Sequence, residues 1–146
     1  MESEIIVERV LKAQAEGTTS VESDIVDVDG AVGVCFIVSF GKITDGTPVI
    51  TVKQGNNANG SEMNTVEGSI QLAATDSDKV VIIDVKKPKK RYVKLVVDRT
   101  EGSPSTGCII DDAIAIKYSE RVYPTTKGDT VADKILLISP DEVSAT

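Results

Sequence analysis

The sequence predicts an all-β fold, an antiparallel β-sandwich of jelly-roll-like type with about eight or nine strands. Three observations carry this. Apolar residues alternate with a period of two through most of the chain, as in VGVCFIVSFG from Val32 to Gly41. Turn residues punctuate it, among them Asp29-Gly30, Asp45-Gly46 and Asp76-Ser77-Asp78. The apolar content is Val, Ile, Leu and Ala, with two Phe, three Tyr and no Trp, a composition suited to packed β-branched sheet faces.

Taken in order, Ile5 to Ala15 (IIVERVLKAQA) has an ambiguous period, and the segment 1–23 is read as an N-terminal strand or arm. The sandwich proper is expected over 24–139. Asp24 to Val28 is a short strand closed by a hairpin turn at Asp29-Gly30, and Val32 to Gly41 is a central strand whose even positions face the core. Asp45-Gly46 predicts a second hairpin leading into a strand from Pro48 to Lys53. Gln54 to Gly60 reads as an exposed loop and Ser69 to Ala74 as a short strand.

Val80 to Val85 is apolar on both faces apart from Asp84, as for a strand covered on two sides or meeting a partner. Tyr92 to Val97 places Val93, Leu95 and Val97 inward. In the next strand Ile110, Ile114, Ile116 and Tyr118 are assigned to one face, with Asp111, Ala113, Ala115 and Lys117 on the other. Val131 to Ile138 is the last strand, and 140–146 reads as a loose tail.

The 146 residues suit one domain, and a net charge of −7 disfavours nucleic acid and anionic lipid as partners. No apolar run approaches a membrane span, and the polar N-terminus lacks a signal pattern, so a cytoplasmic site of synthesis is expected. Cys35 and Cys108 lie in apolar runs and are expected as buried thiols. The absence of histidine excludes the usual Ser-His-Asp and Cys-His machinery and removes the commonest transition-metal ligand.

The densest charged feature is Lys86, Lys87, Lys89, Lys90, Arg91 and Lys94, interrupted by Pro88. It is read as a solvated hairpin turn available for contact with an acidic protein surface; no aromatic residues interleave it as a nucleic-acid groove requires. The DxDG of Asp27 to Gly30, with Asp24 nearby, and the pair Asp111-Asp112 lack the further ligands of a calcium loop. No pair of carboxylates is selected for glycosidase chemistry, and no phosphate loop occurs. Neither cofactor nor metal is expected, and the chain is read as a non-enzyme.

The wording from Val28 to Gly55, DVDGAVGVCFIVSFGKITDGTPVITVKQG with its leading Asp27, resembles small proteins of tailed-phage and prophage structural gene clusters. So do DKVVIIDVKKPKKRYVKLVVDR (Asp78 to Arg99) and IIDDAIAIKYSERVYPTT (Ile109 to Thr126). The resemblance implies a virion component, with head decoration or cement protein as the specific expectation. It further implies the major capsid protein and copies of the chain itself as partners, in a homodimer or homotrimer. The expected location is the capsid exterior, after assembly in the bacterial cytoplasm. The alternatives are a head-tail or tail protein, or a carbohydrate-binding jelly roll stacking sugars on Tyr92, Tyr118 or Tyr123.

Overall fold

The computed structural model describes residues 5–119, 130–138 and 141–143. It is a β-sandwich of two sheets, with twelve strands among the described residues. One sheet, here the broad sheet, contains β1 (Ile5–Leu11), β2 (Gln14–Gly17), β5 (Gly33–Ile43), β9 (Val80–Lys86), β11 (Cys108–Tyr118) and β12 (Val131–Ile138). Its order is β1-β11-β5-β9-β12, with β2 continuing the β1 edge against β11. The facing sheet contains β3 (Ser20–Glu22), β4 (Val26–Asp27), β6 (Val49–Gly55), β7 (Asn64–Thr65), β8 (Ile70–Gln71) and β10 (Tyr92–Asp98).

β5 is the centre of the molecule, and its even residues do what their spacing predicts. Val34, Phe36 and Val38 are fully buried and Phe40 is 1% exposed. They pack between the sheets against Ile50 and Val52 of β6, Val81, Ile83 and Val85 of β9, and Val93, Leu95 and Val97 of β10, all in one core cluster. Burying each such side chain contributes about 1.5–3 kcal/mol.

Connectivity departs from expectation in an instructive way. Asp29-Gly30 joins β4 to β5, Asp45-Gly46 joins β5 to β6, and the Lys/Pro segment joins β9 to β10. Each of these pairs lies in opposite sheets. The three expected hairpins are therefore arches over the ends of the sandwich. Turn chemistry marks where the chain reverses, but apolar alternation is the same whether the next strand pairs sideways or packs across the core. The chain thus crosses from sheet to sheet at each step from β4 to β6 and from β8 to β11.

Three further differences follow from local geometry. The count of strands exceeds eight or nine because β2, β3, β4, β7 and β8 are only two to four residues long, too short to show a period. The sandwich is mostly antiparallel, yet β12 pairs with β9 in parallel, from Val131↔Val80 to Ile138↔Lys86. In β11 the register shifts between Ile110 and Asp112, so one extra residue inverts the faces. Cys108, Ile110, Ala113 and Ala115 are the fully buried residues of β11, and Ile114 and Ile116 turn to the outside.

The segment to Ser23 is built into the sandwich, with β1 and β2 on β11 and β3 on β10. Arg99 clamps this region: its guanidinium donates to the carbonyls of Ala15 (2.9 Å), Thr19 (3.0 Å) and Cys108 (2.8 Å). Of the expected tail, Asp141 and Val143 bond to the strip 65–67, through Glu67 N to Asp141 O and Val143 N to Thr65 O at 2.7 Å each.

Candidate interaction surfaces

The basic segment is held by partners distant in sequence. Lys87 adopts a left-handed backbone (φ 53°) and its N–H donates to Val32 O at 2.8 Å. The N–H of Lys89 donates to the buried Gln54 side chain at 3.2 Å, and that of Val28 to Arg91 O at 2.9 Å. The arch is thereby pinned to both sheets.

Its charges are mostly paired. Arg91 grips Asp27 as a fork, with Nε to Oδ1 at 3.0 Å and Nη2 to Oδ2 at 2.9 Å, and lies 5.3 Å from the Tyr92 ring centre. Hydrogen bonding from Arg91 lowers the Asp27 pKa below the usual carboxylate value. Lys89 reaches Asp141 at 2.5 Å and Lys94 reaches Glu22 at 2.9 Å, and these bonds lower the pKa of each carboxylate.

The six residues do not share a surface. Lys86 is buried on the outer side of the broad sheet beside Gly33, whereas Lys94 faces outward from the other sheet. Only the arch itself, with Lys87 and Lys90 making no ion pair among the described residues, presents unneutralised charge.

A second surface was not singled out by charge or motif. The outward residues of the broad sheet form cross-strand rows, read from the pairing. One row runs Ile5, Tyr118, Gly33, Lys86, Ile138; the next Val7, Ile116, Cys35, Asp84, Leu136; the third Arg9, Ile114, Ile37, Ile82, Lys134. At the rims Ile5 is 52%, Val7 59%, Leu136 42% and Ile138 54% exposed. Eight of these fifteen positions are aliphatic, while Arg9, Asp84, Lys86 and Lys134 place four charged residues on the face, and Tyr118, Asp84 and Lys86 are buried within the single chain. The signal was available in the two-faced apolar pattern of β9; the bulge in β11 concealed the rest.

Two polar groups within the face satisfy each other. The Tyr118 hydroxyl donates to Asp84 Oδ1 at 2.5 Å, and Gly33 gives the ring its room. A Cβ on Gly33 would lie 2.6 Å from Tyr118 Cζ. Burial raises the Asp84 pKa above the ordinary carboxylate value, partly opposed by the Tyr118 bond. Cys35, half-buried at the centre of the face rather than in the core, has its thiol pushed up to about 12 by desolvation. Cys108 is fully buried, as expected.

The other sequence candidates are accounted for by the fold. Asp27 is engaged by Arg91, and among the described residues no three His, Cys, Asp or Glu side chains are grouped to hold a metal ion. Tyr118 is 4% exposed and cannot stack on a sugar; Tyr123 lies outside the described residues. No helix among the described residues is long and apolar enough to cross a membrane. One polar site went unanticipated: Asp45 accepts the backbone N–H groups of Ser105 (2.9 Å), Thr106 (3.1 Å) and Gly107 (2.5 Å). The Asp-Gly wording identified a turn but not this partner 60 residues away.

Comparison with known proteins matches no family model and no curated protein. Among solved structures, the chain is similar to a protein described under "Bacillus endospore appendages form a novel family of disulfide-linked pili". The identity is 12% over 83% of this chain and 93% of that one, with a TM-score of 0.46. It is also similar to PirA, at 13% identity over 80% of this chain and 92% of that one, with a TM-score of 0.34.

Proposed function

We propose that the chain is a non-enzymatic structural subunit of a protein assembly, and specifically a phage head decoration protein that binds and stabilises the capsid shell. The observation that supports assembly is the set of large apolar side chains left exposed on the two edge strands of the broad sheet, Ile5, Ile6 and Val7 on β1 and Leu136 and Ile138 on β12. Grouped exposed apolar side chains mark contact sites. The phage assignment rests on the sequence resemblance of Val28 to Gly55, Asp78 to Arg99 and Ile109 to Thr126.

On this reading the rigid arch carrying Lys87 and Lys90 meets acidic groups of the shell, and many weak contacts on a repeating lattice add up through avidity. Recombinant protein mixed with expanded phage heads should co-sediment with them and raise their resistance to heat. Protein that stays in the supernatant at low salt refutes the decoration role. Labelling confined to one vertex in electron micrographs would move the assignment to a head-tail or tail component.

A further inference from the structure

We propose that the cleft between the β4–β5 arch and the β9–β10 arch is a preformed seat for a carboxylate, its ligand a glutamate or aspartate side chain of a protein partner. This deepens the arch contact described above and rests on the reading that the arch meets acidic groups, but not on the phage assignment.

The cleft has a volume of about 370 Å³. Val28, Ala31, Val32 and Pro88 give it apolar walls, and Lys87, Lys90 and Arg91 supply its cations. Two backbone bonds tie one arch to the other, Lys87 N to Val32 O at 2.8 Å and Val28 N to Arg91 O at 2.9 Å. Lys87 is held in a left-handed backbone, φ 53°, by the first of these. Walls fixed in advance leave little to order when a ligand enters.

The charges within the cleft are unevenly satisfied. Arg91 is occupied by Asp27 at 2.9 Å and by Asp29 at 3.9 Å, and Asp29 is the one acid among the described lining residues. Lys90 is half-buried, yet neither it nor Lys87 makes an ion pair among the described residues. On its other side Lys90 borders a smaller cleft that contains Glu62 and Glu142. Amides bond those two carboxylates instead: Gln54 Nε2 (3.3 Å) and Asn64 Nδ2 (3.1 Å) for Glu142, and Asn57 Nδ2 (3.4 Å) for Glu62. Two ammonium groups, each with three donors and no acceptor, therefore stand over a rigid cleft without a counter-charge. Such a site selects an anion, through charge-assisted hydrogen bonds.

The walls select the kind of anion. A carboxylate carried on one or two methylenes lays them against Val28, Ala31 and Pro88 while its oxygens meet the ammonium groups. Inorganic phosphate offers those walls nothing and stays hydrated. A long polyanion also meets the repulsion of the whole chain, net charge −7, whereas a single carboxylate feels chiefly the cations within the screening length of about 8 Å.

The test is a nitrogen-15 NMR titration of the full chain at low ionic strength with three probes: the blocked peptide acetyl-Gly-Glu-Gly-amide, its Gln counterpart, and inorganic phosphate. The Glu peptide should give saturable shifts at the amides of Gly30, Ala31, Lys87 and Lys90, and the Gln peptide should bind about 10-fold more weakly. Lys90→Gln and Lys87→Asn should each cost about 10-fold in affinity for the Glu peptide, and Lys90→Arg should preserve it. Asn accepts the left-handed backbone at position 87, so circular dichroism of both variants should match the parent chain. Equal response to the Glu and Gln peptides overturns the proposal, as does a Glu titration unchanged in both variants or one without saturable shifts at these amides. Phosphate that saturates the same amides at lower concentration overturns the assignment to a side-chain carboxylate. Attachment to phage heads is scored separately. Heads that fail to bind while the peptide seats remove the decoration role and leave the cleft; heads that bind Lys90→Gln undiminished while the peptide stays silent remove the cleft and leave the decoration role.

Discussion

The carboxylate of Asp45 accepts the backbone N–H of Gly107 at 2.5 Å, joining two arches at one end of the sandwich that are 62 residues apart in the chain. Gly107 sits at φ 85° with its α-carbon against the Gly17 backbone, where any side chain would collide. The Ser105 hydroxyl adds a further bond to the same carboxylate at 2.9 Å. A fixed ring of donors around an anion stabilises its charged form.

Asp45 accordingly gives stability a defined pH dependence. The N–H groups of Gly107 and Ser105 lower its pKa to about 2 in the folded protein. A folded pKa below the unfolded value of about 3.9 means that its contribution is complete above pH 4 and is lost as pH falls through 2. Asp45→Ala should melt below the parent chain at pH 7, and the gap should close as pH falls from 4 to 2 in differential scanning calorimetry. A gap independent of pH contradicts this account.

Arg99 should be the most sensitive charged residue in the chain. It is 5% exposed and donates to three carbonyls, those of Ala15, Thr19 and Cys108. Arg99→Met keeps the apolar stem and loses the donors. Urea denaturation should show about 3 kcal/mol or more of lost stability, with amide exchange fastest at residues 14–20. A loss under about 1 kcal/mol would remove Arg99 from the role of clamp.

Gly33→Ala should displace Tyr118 from Asp84. A methyl group there meets Tyr118 and lies 2.7 Å from Val85 O, so the ring must move or the strands must part. The expected cost is about 1–3 kcal/mol, with a changed tyrosine signal in near-ultraviolet circular dichroism. Because burial raises the Asp84 pKa, the sign for this carboxyl is opposite to that of Asp45. Stability from keeping it protonated is present below the unfolded pKa and is lost as pH rises through the higher folded value. Asp84→Asn should therefore compare best with the parent chain at neutral pH and worst near pH 3.

The basic arch separates folding from binding. Lys89, Lys90 and Arg91 are outward-facing, so replacing all three with Ala should leave the fold intact and shift the melting midpoint little. Arg91→Ala alone should free Asp27, raising the pKa of that carboxyl toward its ordinary value in an NMR titration. If the arch meets an acidic shell, Lys87→Ala with Lys90→Ala should weaken attachment and flatten its salt dependence. Attachment to heads unchanged at low salt would exclude the arch as the contact.

The sequence by itself determined the strands and the core face of the middle one. Alternation over 33–43 and 92–98 is long enough to fix which side chains are buried, because each strand has a period of two and two possible faces. It also located the reversals at Asp29-Gly30 and Asp45-Gly46. What only the tertiary structure decided is which sheet each strand joins, since a sideways neighbour and a neighbour across the core demand the same apolar pattern. It decided the bulge at Asp111 and Asp112 that turns Ile114 and Ile116 outward, because one unpaired residue inverts a face without altering composition. And it decided the fate of the basic segment, whose partners Asp27, Glu22 and Asp141 lie 64, 72 and 52 residues away, distances that local spacing does not report.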